Sequence, residues 1–186
     1  MTHIQKWFSV PLFSEDQCDR ILQICDSNIE LNTASVLNNG VGIKQFFARN
    51  CKSGWLSPDD ENEWIFNAIK KKIVEVNDRT LKFEVDNMEQ LQYLEYGPLQ
   101  FYNKHVDNGD DRVACRKLTA VVQLSNKSEY FGGALEVESM PRLRRAPRER
   151  GRVVIFPSHL PHKAHPVWIG KRKVLVAWIR GKKPLS

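Results

Sequence analysis

The segment YNKHVDN sets His105 two residues before Asp107, and the later segment HLPHKAHPVWIGKR carries His159, His162 and His165 ahead of Arg172. Two imidazoles and one carboxylate are a ligand set for non-haem iron that leaves about half of an octahedral ion's positions open. An arginine downstream of the second imidazole can hold a carboxylate through two parallel hydrogen bonds. The chemistry open to these residue types is oxygenation at Fe(II) with a dicarboxylate co-substrate.

On a strand, the spacing of His105 and Asp107 puts both side chains on one face. Asn108-Gly109 then ends the strand and leaves the pair near its mouth. The three later histidines recur every third residue, but Pro157, Pro161 and Pro166 exclude a helix there. On extended chain His162 faces opposite to His159 and His165, and spacing alone does not select among the three. Arg172 lies beyond the Ile169-Gly170 turn. Two antiparallel strands joined at that turn would bring His162 and Arg172 to one cavity. An inward arginine needs a buried anion; the alternative is a solvated basic turn shared with Lys171 and Lys173.

The elements that must position these residues follow from periodicity. Residues 14–27 read as a helix, with Ser14 and Gln17 as a capping box and Cys18, Ile21, Leu22 and Cys25 as its apolar stripe. Residues 41–49 read as a strand after the Asn-Asn-Gly turn. A second helix is expected from Pro58 to Val76, capped by Ser57, with Asp59, Asp60 and Glu61 suiting its positive end. From about residue 82 the period becomes strand-like through LKFEV, LQYLEY, LQFYNKHV, KLTAVVQL, ALEVE, RVVIF and KVLVAWI, with glycine-bearing turns between. Short strands behind two helices predict an α+β, mainly β fold, an antiparallel barrel or jelly roll with helices packed outside.

A chain of 186 residues is expected to form a single domain, 1–186, with helical support over 1–80 and a catalytic barrel over about 82–181. No apolar run approaches the roughly 20 residues of a membrane span, and the N-terminus lacks a signal-peptide layout. The expected setting is intracellular and cytoplasmic. No CxxC pair occurs among Cys18, Cys25, Cys51 and Cys115, which favours reduced, buried thiols over zinc or redox motifs. Charge is uneven: residues 1–141 carry a net −6, the run RLRRAPRERGR (142–152) +5 and residues 153–186 +7. That excess either attracts an acidic partner or offsets the acidic remainder within the fold.

From Tyr93 to Gly181 the chain resembles the iron- and 2-oxoglutarate-dependent dioxygenases, in their prolyl 4-hydroxylase-like branch. The residues that carry the resemblance are His105-Val106-Asp107, the Tyr130-Phe131-Gly132-Gly133 turn, and His162 followed by Pro166-Val167, Gly170 and Arg172. RERGRVVIFPS is similar to the strand leading to the distal histidine, and VPLFSEDQCDRIL to the first helix. The motif, not the spacing, selects His162. The resemblance implies a double-stranded β-helix, a jelly-roll or cupin-like barrel. It implies that His105, Asp107 and His162 hold Fe(II) and that Arg172 binds the far carboxylate of 2-oxoglutarate. Tyr96, Tyr102 and Gln123 match co-substrate contacts. The implied reaction uses oxygen, with ascorbate as reductant, to hydroxylate a C–H bond, releasing succinate and carbon dioxide. The expected substrate is a prolyl residue of a protein or peptide.

Two other readings stand beside this one. The arginine-rich run with Trp55, Trp64 and Trp168 could serve a nucleic acid, or the enzyme could oxidise a small molecule; the run also reads as a solvated loop between ALEVE and RVVIF. A binding module that kept the barrel and lost turnover is the non-enzymatic alternative.

Overall fold

Helix α1 (Glu15–Asn28) starts where its cap directs. The Ser14 hydroxyl accepts the Gln17 backbone N–H at 3.2 Å, and the Gln17 side chain accepts the Ser14 N–H at 2.9 Å. The chain is described here by a computed structural model covering residues 6–34, 36–38, 41–43, 47–109, 113–139 and 142–184. Around α1 and α2 (Glu63–Val76) run β1 (Phe8–Pro11), β2 (Asn32–Thr33), β3 (Val36–Asn38), β4 (Val41–Ile43), β5 (Arg49–Asn50) and β6 (Lys52–Leu56). After α2 come β7 (Leu91–Tyr96), β8 (Phe101–His105), β9 (Arg116–Gln123), β10 (Tyr130–Gly132), β11 (Leu135–Ser139) and β12 (Arg142–Arg145). The chain closes with β13 (Arg152–Pro157), β14 (His162–Ala164), β15 (Val167–Gly170) and β16 (Arg172–Arg180).

Two sheets face each other in this strand-rich fold. The larger has the order β1-β13-β9-β16-β7-β6-β2 and the smaller β12-β11-β14-β8-β5, while β10 pairs with β15 and β3 with β4. The paired strands run antiparallel throughout. Each central strand of the larger sheet is buried on both faces, so its sequence is nearly continuous in apolar residues. The period of two then sorts them. Leu118, Ala120, Val122, Leu175, Ala177 and Ile179 join the cluster built with Ile21, Ile65, Ile69 and Ile73 of the helices. The alternate residues Val121, Val154, Phe156, Val174, Val176 and Trp178 face the smaller sheet, with Leu135, Val137 and Ala164. The helices therefore cover the outside of the larger sheet, and the cleft lies between the sheets.

Several sequence expectations shift. Helix α2 begins at Glu63, not at Pro58, and Ser57 does not cap it. Asp59 Oδ1 instead accepts the N–H groups of Glu61 and Asn62, each at 3.0 Å, and the Asn62 amide donates to the Ser57 carbonyl at 3.0 Å. These local bonds form a turn that competes with helix. LKFEV is not a strand: α2 continues as a π turn over Asn77–Leu81, and the Asn77 side chain bonds both N–H and C=O of Phe83. The strand expected over 41–49 is β4 plus the start of β5, its residues 44–46, like Asn39 and Gly40 of the turn, lying outside the described residues. The run 142–152 is only partly loop, because β12 pairs with β11 from Glu136↔Arg145 to Ser139↔Arg142.

The basic C-terminal quarter meets the acidic N-terminal part inside the molecule. Arg150 pairs with Glu15 at 2.9 Å and Asp19 at 2.6 Å on α1, and Lys173 pairs with Asp26 at 2.7 Å. Arg152 donates to the Ser9 carbonyl at 2.8 Å and Arg148 to the Tyr130 carbonyl at 3.0 Å. Among the described residues no helix is long and apolar enough to cross a membrane.

Candidate metal centre and co-substrate pocket

Strands β8 and β14 are neighbours in the smaller sheet, and their register sets His105 directly opposite His162. Asp107 follows β8 and is fixed by backbone: its N–H donates to the Ser158 carbonyl at 2.9 Å. Among the described residues, one nitrogen or oxygen from each of His105, Asp107 and His162 lies within 4.8 Å of the others, a spacing that could hold a metal ion. His105 Nε2 is 3.5 Å from Asp107 Oδ1, and His162 Nε2 is 3.4 Å from Oδ2. Adjacent donors on an octahedral ion with bonds of about 2.1 Å stand about 3 Å apart; each imidazole is near that spacing from its own carboxylate oxygen, so both oxygens of Asp107 lie within reach of the ion position.

The donor chemistry fits a cation as well. His105 Nδ1 lies 2.7 Å from the Asn103 carbonyl, and His162 Nδ1 lies 3.0 Å from the Leu160 carbonyl. A carbonyl only accepts, so Nδ1 carries the proton in both rings and each neutral Nε2 turns a lone pair toward Asp107. Burial pushes the His162 imidazole down, favouring that neutral form. Burial alone would raise the Asp107 carboxyl, but once His162 and His105 are protonated in acid they hold it well below the usual carboxylate range. With both rings neutral, two lone pairs converge on an anion, an arrangement that repels until a cation enters.

The remaining expected residues share the cleft. Arg172, at the start of β16, is 2% exposed, which excludes a solvated turn. Its Nε and Nη2 donate to Gln123 Oε1 at 3.3 and 3.1 Å, and its guanidinium lies 5.6 Å from the Tyr96 ring centre. Tyr96 is its register partner on β7. Burial pushes the Tyr96 phenol up, with the neighbours Cys51, Arg49, Arg172 and Tyr102 acting on it. Tyr102 stacks on His105 with ring centres 3.5 Å apart, and burial pushes its phenol up to about 12. His162 and Arg172 are not on paired strands, contrary to the hairpin expected at Gly170. They belong to opposite sheets: β14 pairs with β8 and β11, and β16 with β7 and β9. The turn at Gly170 still matters, because at φ +75° an added Cβ would stand 2.0 Å from the Glu129 carbonyl oxygen. Gly133 similarly leaves room beside Arg172, whose Cδ would lie 3.2 Å from a Cβ there.

Sequence reasoning passed over four residues of this cleft. Buried Arg49 covers the other face of the stack: its guanidinium is 4.6 Å from the Tyr102 ring centre and donates to Gln92 at 3.2 Å and to Cys51 Sγ at 3.3 Å. Thr119 donates to Asp107 Oδ2 at 2.8 Å and meets Ser158 Oγ at 3.0 Å. Period-two counting back from Gln123 reaches Thr119; nothing in the sequence marks Arg49, Gln92 or Ser158. His165 points elsewhere, 2.9 Å from Glu136. Trp64 packs edge-on against Phe13 rather than offering a surface for stacking.

Residues 91–180 match the family described as the 2OG-Fe(II) oxygenase superfamily. A PKHD-type hydroxylase of Prochlorococcus marinus strain MIT 9515 is 32% identical over 78 residues, covering 42% of this chain and 35% of the relative. Similar relatives from other strains are covered over 38% and 37% of their length, so these matches span well under half of the relatives. Among solved structures, a Pseudomonas putida prolyl-4-hydroxylase superposes with a TM-score of 0.77 at 21% identity, over 97% of this chain and 94% of that one. A Trichoplax adhaerens prolyl hydroxylase in complex with a hypoxia-inducible-factor peptide fragment gives 0.76 at 17% identity, over 97% and 85%. These likenesses show the jelly-roll fold. The matched strands carry both the His-Asp-His cluster and the buried arginine, and together these likenesses support a 2OG-Fe(II) oxygenase with a prolyl 4-hydroxylase-like fold.

Proposed function

We propose that the protein is an Fe(II)- and 2-oxoglutarate-dependent dioxygenase that hydroxylates a prolyl residue of a protein or peptide, releasing succinate and carbon dioxide. The observation that carries this is the convergence of three ligand atoms on one point of a cleft that also buries Arg172. In this reading His105, Asp107 and His162 hold the iron, which supplies the oxidising chemistry once 2-oxoglutarate and oxygen are present. Arg172 holds the far carboxylate of 2-oxoglutarate; a carboxylate is the anion that a buried guanidinium needs. Gln123 fixes the arginine fork through its carbonyl and offers its amide N–H to the same carboxylate. Tyr96 closes the pocket beside Arg172, and Tyr102 lies against His105, where its hydroxyl can reach the co-substrate. Ascorbate serves as reductant.

A peptide substrate agrees with the wall of the cleft. Trp55 is half exposed, 6.0 Å from the Trp178 ring, and offers an aromatic face of the kind that docks proline-rich segments. The nucleic-acid alternative draws less support, because Arg148, Arg150 and Arg152 are engaged within the chain. We further propose that residues 1–186 act as one domain, with the helices as support for the barrel, in a cytoplasmic setting.

The test is succinate release by the purified protein with Fe(II), 2-oxoglutarate and ascorbate. Proline-containing peptides, nucleic acids and free amino acids would be offered in turn, and products read by mass. Turnover dependent on a proline peptide, with one oxygen added at proline, is expected. Turnover with nucleic acid or a free amino acid alone would replace the substrate assignment, and no succinate with any of them would overturn the enzyme.

A further inference from the structure

Asp107 is gripped at its backbone and at its carboxylate by one pair of hydroxyl residues. The Ser158 carbonyl accepts the N–H groups of Asp107 at 2.9 Å and Asn108 at 3.2 Å. Thr119 Oγ1 lies 2.8 Å from Asp107 Oδ2 and 3.0 Å from Ser158 Oγ. Thr119 and Ser158 are both fully buried, so water does not compete for these bonds. An ionised carboxylate only accepts, which fixes the direction of the chain. Thr119 gives its proton to Oδ2, and Ser158 gives its proton to Thr119. Both hydroxyls come from the larger sheet, Thr119 on β9 and Ser158 just after its partner β13. The two imidazoles come from the smaller sheet. The carboxylate is therefore set by a different structural body from the one that sets the histidines.

The second carboxylate oxygen matters because ligand positions are few. Three single-atom ligands leave three of six positions, two for 2-oxoglutarate and one for oxygen. Carboxylates bind cations through one oxygen or through both; Oδ2, 3.4 Å from His162 Nε2, is within reach of the same ion, and a two-oxygen Asp107 would occupy the position that oxygen needs. Resting on the functional reading above, we propose that Thr119 is a positioning residue whose hydroxyl engages Oδ2, keeps Asp107 a one-oxygen ligand, and so preserves the open position for oxygen. A conserved volume without the hydroxyl would release Oδ2 toward the ion.

The experiment compares wild type with Thr119→Val, which keeps the shape and removes the hydroxyl, and Thr119→Ser, which restores a hydroxyl. Nitric oxide, a surrogate for oxygen, is titrated anaerobically into the Fe(II)–2-oxoglutarate form and followed by electron paramagnetic resonance. Iron and 2-oxoglutarate affinities are measured separately. In Thr119→Val, nitric oxide affinity and kcat/KM for oxygen are expected to fall by about tenfold or more, with iron and 2-oxoglutarate affinities held within about threefold and Thr119→Ser close to wild type. Nitric oxide affinity unchanged in Thr119→Val, or iron affinity lost in step with it, would overturn the proposal. If the valine variant does not fold by circular dichroism, Ser158→Ala takes its place, since it withdraws the proton that polarises Thr119. A weakened nitric oxide response at constant iron affinity then supports the proposal, and an unchanged one overturns it. A wild-type protein that takes up no iron would overturn the functional reading itself, a result visible before any variant is made.

Discussion

The two faces of the larger sheet are made by the same strands and follow different rules. Toward the helices, Leu118, Ala120, Val122, Leu175, Ala177 and Ile179 form a closed apolar layer with α1 and α2. Toward the smaller sheet, the alternate positions of β9, β16 and β7 carry Thr119, Gln123, Arg172, Gln92 and Tyr96 among the apolar residues. Those polar groups are satisfied by one another or turned toward the point where the ligands meet. In the proposed reading the first face supplies stability and the second chemistry, and a shift of one residue would exchange them. Burial of polar groups costs free energy unless they are paired, so the chemical face leans on the apolar one behind it.

That division can be broken from either side. The largest effect is expected at Asp107. Asp107→Ala removes one of the three proposed ligands and should reduce succinate release to background, with the fold intact by circular dichroism. Persistent turnover in a metal-controlled sample would show that the cleft is not the catalytic face. Next is Arg172→Gln, which keeps a polar side chain and loses the charged fork. Its KM for 2-oxoglutarate should rise about tenfold to a hundredfold, as loss of charge-assisted bonds worth about 1.5–3 kcal/mol implies. The melting temperature should change little. The reciprocal experiment is Leu175→Ala on the opposite face of the same strand. It should cost about 2–5 kcal/mol in denaturant unfolding while leaving KM for 2-oxoglutarate near wild type. A large KM change there would mean that the faces are not separable.

Smaller effects sharpen the comparison. Both His162 and Asp107 titrate below their ordinary values of 6.5 and 3.8 in the folded protein. The unfolded chain therefore binds more protons at these sites in acid. For each group the stabilisation is complete above the ordinary value and is lost as pH falls toward the lower folded value. With chelator present, thermal stability should decline as pH drops below 6.5 and again below 3.8. His162→Asn should flatten the first limb, as calorimetry across pH would show. The smallest effect concerns thiols on the helix side. Burial pushes Cys18 up to about 11 and Cys25 up to about 12. At mildly alkaline pH an alkylating reagent should label half-buried Cys115 well before either, and mass mapping would order them.

Much of the site was legible because its residues sit in local motifs. His105 and Asp107 are two apart, and His162 with Arg172 lies in one eleven-residue stretch whose Gly170 needs positive φ. Helix α1 was legible because Ser14 and Gln17 satisfy each other across one turn. The start of α2 was misread because Ser57 and Asp59 are equally good local partners, and side-chain bonds among Asp59, Glu61 and Asn62 decided between them. LKFEV has strand composition, yet Asn77 binds Phe83 back to the helix end. Composition does not show such competition. Tyr96, Tyr102 and Gln123 were reached by resemblance, and the structure sets all three in the cleft with Arg172 and His105.

By itself the sequence determined the alternation of the strands, the capped first helix, the candidate ligand residue types and their spacing within each motif. Those features depend on neighbours within a few residues, where chain geometry leaves little choice. Only the tertiary structure decided that β14 and β16 lie in opposite sheets, that Arg49 covers Tyr102, and that Thr119 and Ser158 hold Asp107. These are contacts between residues far apart in the chain, set by how two sheets pack. It also decided that the basic C-terminal quarter engages α1. A count of charges gives their sum, but only packing fixes which charges face one another.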